Sequence, residues 1–174
     1  MRDFFRIGDK LVSVEKVSRI LNQLFSLRSR GLSQQEVAAR LGLDRSFISK
    51  LESLGAVRKG ASIAVVGFPV QNKKEIVALL EKLGVDFSLI MTNEERWRFV
   101  EEKSGAELFN EVMRLIAQVR TYDVVILIGS RQRINWGAAL LDKEVIGIDL
   151  GETPLTEDRH VDPASLQELI LAAR

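Results

Sequence analysis

The spacing of the hydrophobic residues changes near residue 60, and this shift restricts the chain to a helical head followed by an α/β body. Before it, Val14, Val17, Ile20, Leu21 and Leu24, then Val37 and Leu41, then Ile48 and Leu51 recur at three-and-four spacing, as in helices that bury one face. After it, the apolar runs at 63–68, 85–91, 124–128 and 145–150 are nearly continuous, broken only by Asp86, Ser88 and Asp149. A run apolar at every position suits a strand covered on both faces, which is the condition of a parallel sheet. Residues 55–60 begin and end with glycine and form the natural joint. The expected domains are therefore a helical one over 1–58 and an α/β one over 61–174.

Helix starts are marked by an oxygen-bearing side chain three residues before a carboxylate, so that each satisfies the other's free N–H groups. Ser33 with Glu36, Asn72 with Glu75, Thr92 with Glu95 and Ser104 with Glu107 all have this spacing. Asp162 before Pro163 is a further start signal. Helices are predicted at 14–29, 33–41, 45–54, 72–83, 93–103, 105–119, 132–142 and 163–173, with a short fifth strand at 159–161. Residues 1–13 fit either an extended arm or a small hairpin.

With no cysteine, the chain has neither disulfides nor thiolate metal sites, which fits a reducing cytoplasm. The first residues lack a signal-peptide pattern, and no stretch approaches the roughly 20 apolar residues of a membrane span. The formal net charge of +1 hides an asymmetry. Residues 1–60 carry 12 Lys+Arg against 6 Asp+Glu, a balance of +6, and residues 61–174 carry 13 against 18, a balance of −5. A basic head on an acidic body suits attraction to phosphate at one end.

The strongest local signal is LSQQEVAARLGLDRSFISKLES, residues 32–53. Val37 and Leu41 form the inner face of one helix, and Ile48 and Leu51 that of the next. Ala38 sits where the helices touch and nothing larger fits. Gly42 supplies the positive φ of a tight turn; Leu43 plugs that turn, and Asp44 is placed to cap the second helix. This stretch resembles the helix-turn-helix of the phage-repressor family of transcription regulators, the Cro, lambda-repressor or XRE type. The resemblance implies double-stranded DNA as partner. Gln34, with Gln35 beside it, would meet the backbone. Arg45, Ser46 and Lys50 would face bases, and Phe47 and Ser49 would lie at the groove wall. The chemistry agrees, because Arg45 can pair bidentately with guanine and Phe47 can pack on a thymine methyl. Arg28, Arg30, Arg40, Arg58 and Lys59 are available for phosphate. One such motif covers a single half-site, so a homodimer is expected. Residues 51–59 also resemble the end of a winged-helix recognition helix, but a wing needs a hairpin, and no second strand is evident after Gly60.

For the body, the expected architecture is a Rossmann- or flavodoxin-like parallel sheet. In such a sheet, ligands bind beyond the carboxyl ends of the strands where the winding reverses. For strand order 2-1-3-4, that point is flanked by the loops carrying Gly67, Pro69, Gln71 and Asn72, and Gly129, Ser130, Arg131 and Arg133. Both loops begin with glycine and lead into a helix N-terminus, which suits an anionic effector such as a nucleotide or phosphorylated metabolite. The end of the chain resembles the closing strand and helix of dinucleotide-binding α/β domains, yet neither G-x-G-x-x-G nor G-x-x-x-x-G-K-[ST] is present. No cofactor, metal set or catalytic constellation is evident, and the single histidine, His160, reads as a loop residue. Trp97, Phe99, Phe109, Met113 and Ile116 are expected on the inner faces of two crossover helices, with Trp136 in the core or a pocket wall. The expected function is a non-enzymatic, effector-sensing transcription regulator. Its rivals are an enzyme acting on a nucleotide or small metabolite, and a protein-interaction module.

Overall fold

The computed structural model describes residues 3–56 and 59–174, which fall into two compact units, Met1–Ala56 and Val57–Arg174. Arg58, expected at phosphate, lies outside the described residues.

The first unit opens with a hairpin of β1 (Phe4–Ile7) and β2 (Lys10–Ser13). Ile7 pairs with Lys10 across a two-residue loop in which Gly8 has φ +58, as a tight hairpin turn requires. Over residues 3–13 the chain is therefore the hairpin and not the extended arm, which adds strands to the expected helices. Three helices follow: α1 (Val14–Ser29), α2 (Gln34–Leu41) and α3 (Arg45–Gly55). Their core is small: Leu24, Val37, Ala38 and Ile48 are buried, with Leu27, Leu32, Leu41, Leu43 and Leu51 packed against them.

In the second unit, β3 (Ile63–Gly67), β4 (Phe87–Ile90), β5 (Val124–Gly129) and β6 (Glu144–Asp149) form a parallel sheet ordered β4-β3-β5-β6. In strand sequence this is the order 2-1-3-4, with its reversal between β3 and β5. The strand after α3 therefore enters a parallel sheet, and no wing follows α3 among the described residues. The expected strand at 159–161 is reduced to one parallel bridge between Val70 and Arg159.

Side-chain alternation divides the sheet into two cores. Ile63, Val65, Ile126 and Ile128 meet α4 (Lys73–Lys82) and α8 (Pro163–Ala173) through Ile76, Leu80, Leu166 and Ile170. Ala64 and Val125 face the other way, toward Val119 of α6 (Gly105–Val119) and Leu141 of α7 (Arg131–Leu141). A short helix, α5 (Asn93–Glu101), precedes α6.

Here the expected inner faces need correction. Phe99 and Ile116 are half-buried, but Trp97 is 51% exposed, Phe109 64% and Met113 48%. Trp136, at 58% exposed, lies outside the core and does not line the cavity beneath α6 and α7. The C-terminal end of α6 reaches the sheet through Ile116 and Val119, while Phe109 and Met113, farther toward its start, remain exposed. A stripe of apolar residues records that a helix has a preferred side; it does not record what that side meets.

Candidate nucleic-acid interface and the α/β cavity

The helix-turn-helix is built from local sterics. Ser33 and Glu36 form a reciprocal capping box, with the Glu36 N–H donating to Ser33 Oγ and the Ser33 N–H to Glu36 Oε2. Gly42 ends α2 in the left-handed region at φ +64, and the Leu43 N–H donates to the Ala38 carbonyl at 3.0 Å. Asp44 occupies the N-cap of α3 with extended backbone, but its side chain makes no capping hydrogen bond. That role is therefore one of backbone conformation only.

On α3, Ile48 is fully buried and Leu51 half-buried, so Arg45, Ser46, Ser49 and Lys50 are turned outward and exposed. Arg45 with Ser49, and Ser46 with Lys50, are four apart and so share a side of the helix. Phe47 flanks it at 46% exposure. Among the described residues, Arg30, Arg40, Arg45 and Lys50 form no ion pair with a carboxylate. Lys59 is exposed as well.

Two of the residues expected at the DNA backbone are hydrogen-bonded within the head. Arg28 Nε donates to Glu52 Oε1 at 2.5 Å, and Gln34 Nε2 donates to Glu52 Oε2 at 2.7 Å. Arg28 also donates to the Leu32 carbonyl. One carboxylate thus ties α1, α2 and α3 together. The hydrogen bond from Arg28, then that from Gln34, holds the Glu52 carboxyl below its ordinary range. Gln35 remains exposed. Sequence reasoning missed Glu52, although its signal was present: it lies four residues after Ile48, on the buried side of α3.

In the α/β unit the chain leaving β3 lies against the end of β5, the Phe68 N–H donating to the Ile128 carbonyl. Polar groups of the loops after β3 and β5 are engaged by residues 149–161. Asn72 exchanges hydrogen bonds with the backbone of Val161, and the Gln71 N–H donates to the Arg159 carbonyl. Asn72 Nδ2 also donates to Glu75, and Asn72 makes no capping bond to α4. The Arg159 N–H donates to the carbonyl of Pro69. Ser130 is buried and accepts from Thr153 Oγ1 at 2.7 Å. The Arg131 N–H donates to the Gly151 carbonyl, and its guanidinium binds Asp149 at 2.9 Å, with Glu152 at 3.5 Å. The Gly151 N–H, then Arg131, hold the Asp149 carboxyl below its usual range. Residues 149–161 thus engage the Gln71 N–H, Asn72, Ser130 and Arg131, and leave Arg133 unengaged.

An open cavity lies instead on the α6–α7 face of the sheet. It measures about 340 Å³. Val66 and Leu127 of the sheet, Val112 and Ile116 of α6, and Leu140 of α7 are among its apolar walls. At the carboxyl edge of the sheet it is lined by Phe68, Gly129, Arg96 and Arg133. Of the expected ligand residues, Gly129 and Arg133 line this cavity, whereas Gly67, Pro69, Gln71, Asn72, Ser130 and Arg131 are not among its lining. A side chain at Gly137 would collide with Leu127, so α7 lies tight on β5 there.

Among the described residues there is no helix long and apolar enough to cross a membrane. No curated protein and no solved structure shows a significant match to the chain. The family model described as helix-turn-helix matches residues 27–56, the stretch that folds as the end of α1 with α2 and α3. Over that stretch the head carries a helix-turn-helix of the phage-repressor-like, XRE kind, the DNA-binding element of a regulator.

Proposed function

We propose that the chain is a sequence-specific, dimeric transcription regulator whose α/β unit senses a small molecule without turning it over. The observation that carries the reading is the outer strip of α3. Arg45, Ser46, Ser49 and Lys50 stand exposed on a helix whose opposite side is pinned by Ile48 and Glu52. A rigid helix with free cationic and hydroxyl groups on its leading turns is what the major groove accepts. Exposed Phe47 supplies an apolar contact for a thymine methyl.

The dimer follows from half-site arithmetic, since a single recognition helix reads too few base pairs for tight specific binding. A binding role for the α/β unit is favoured by its cavity, whose lining holds two guanidiniums but no carboxylate, hydroxyl or imidazole. General acid–base or nucleophilic chemistry needs such groups.

Selection of preferred sites from random duplexes, followed by binding of Arg45→Ala and Lys50→Ala across a salt series, tests the reading. Arg45→Ala is expected to cost about 1–3 kcal/mol on the selected site and to relax preference at one base pair. An Arg45→Ala chain that keeps both affinity and sequence preference would refute the base-reading assignment.

A further inference from the structure

The proposed function leaves its effector without a chemical class, and the cavity beneath α6 and α7 supplies one. We infer that this cavity takes a single amphipathic anion: an apolar body of roughly ten heavy atoms, at about 30 Å³ per water-sized group, with a carboxylate or phosphate head held by Arg96 and Arg133. The inference depends on the sensing reading only for its consequence at DNA.

The volume of about 340 Å³ is that of a small-ligand site. Its walls are aliphatic or aromatic, and its charged groups are gathered at one end. Arg96 lies near the start of α5 and Arg133 near the start of α7. Arg96 is half-buried, and its Nη2 donates to Asn93 Oδ1 at 2.7 Å and toward the Leu155 carbonyl at 3.3 Å. Arg133 places its guanidinium 5.5 Å from the centre of the Phe68 ring. Among the described residues, neither arginine forms an ion pair.

Two cations at one end of an apolar space oppose each other, and an anion between them removes the opposition. The same tension is visible in Arg96, whose pKa is lowered first by burial and next by the charge of Arg133. Asp158 offsets part of it, while its carboxylate accepts the Asn93 N–H at 2.6 Å. Guanidiniums match carboxylate and phosphate oxygens in paired hydrogen bonds. A nucleotide fits poorly, because its base and ribose would be buried against walls with nothing to satisfy their polar edges.

The test uses the full chain with four ten-carbon probes kept below their micellar concentrations: decanoate, decyl phosphate, decanol and decylamine. Calorimetric titration is expected to show one decanoate or decyl phosphate per chain, bound at least tenfold more tightly than decanol or decylamine. The better of the two anions identifies the head. Arg133→Gln, at an exposed position, should lose about tenfold for the anion and nothing for decanol. Arg96→Gln should do likewise, and Ile116→Trp should block all four probes by filling the space. Equal affinity for decanoate and decanol, or no effect of Arg133→Gln, overturns the inference. So does absence of binding by a folded wild-type chain, including the case in which a second copy covers the cavity, which sedimentation would reveal. Operator affinity is measured on the same samples. Anion binding that leaves operator affinity unchanged retires the sensing role and keeps the site. An operator response without discrimination between anion and alcohol retires the ligand class and keeps the sensing role.

Discussion

Replacing Ile48 with alanine should unfold the DNA-binding head while leaving the α/β unit intact. Ile48 is fully buried and lies with Leu24, Val37 and Ala38 at the centre of the core that the described residues of the head form. The substitution removes three carbons, at about 0.8 kcal/mol each for lost burial, or roughly 2.4 kcal/mol. The unfilled space left between three helices raises the expected cost into the range of about 2–5 kcal/mol. A unit of this size seldom has more than about 3–5 kcal/mol in total, so the loss rivals everything that holds the head together. The chain offers a direct way to see this, because both tryptophans, Trp97 and Trp136, and the single tyrosine, Tyr122, lie in the second unit. Far-ultraviolet circular dichroism reports helices in both units, whereas tryptophan fluorescence reports only the α/β unit. The Ile48→Ala chain should lose part of its helical signal well below the fluorescence transition and should lose operator binding with it. A variant with wild-type dichroism and operator affinity would refute the argument, since it would mean that Ile48 does not support α3. A fluorescence transition that fell in step with the dichroism would refute the independence of the two units.

Glu52 gives the head a pH dependence whose sign can be worked out. Its carboxyl is held below the ordinary range in the folded head, by Arg28 first and Gln34 second. Its contribution is therefore complete above the unfolded-state value of about 4.3 and is lost as the pH falls through the lower folded-state value. Glu52→Gln should lower the melting midpoint of the head at pH 7 and narrow its difference from wild type toward pH 3; a difference that stays constant over that range refutes the clamp. At Gly42 a side chain would meet nothing within 4 Å, so only the left-handed backbone at φ +64 resists substitution. Gly42→Ala should cost the head about 1–2 kcal/mol, and Gly42→Asn less, although asparagine is larger; the reverse order in chemical denaturation would show that the turn is limited by space and not by φ.

What could be read from the sequence was what neighbouring residues decide among themselves. The boxes at Ser33, Thr92 and Ser104 form as their spacing implies, and the turn at Gly42 adopts the backbone that only glycine takes freely. The predicted helices at 14–29 and 105–119 appear as α1 and α6 with the same limits. What escaped was decided by partners far along the chain. Asn72 has the spacing of a cap, yet its amide is engaged by Val161, 89 residues away. Arg131 looked free for an anion and is held by Asp149, and Gln34 looked free for phosphate and is held by Glu52. The cavity follows the same rule. Val112, Leu127 and Leu140 are ordinary apolar residues in the sequence, and the space they enclose depends on the packing of helices against a sheet that no local pattern encodes.

This arrangement also sets a bound on how strongly an effector could act. Val112 and Leu140 line the cavity and are themselves partly open to solvent, and the same helices carry exposed Phe109, Met113 and Trp136. A molecule wedged between α6 and α7 therefore acts on helices that also form an uncovered apolar surface. The strands behind it, with Val125 fully buried, are packed on both faces and have little room to respond. Under the proposed sensing role, the shift in operator affinity cannot exceed the ratio of the effector's affinities for the two states, and linkage requires DNA to change effector affinity by the same factor as the effector changes DNA affinity. A preference of tenfold can move operator binding by at most tenfold, and a switch from one per cent to ninety-nine per cent occupancy of a state demands about 10⁴-fold. The guanidinium–anion pairing that Arg133→Gln removes is too small for that. A strong switch must draw on the rearrangement of the apolar surface of α6 and α7, so the size of the operator response separates a ligand that merely fills the cavity from one that repacks its walls.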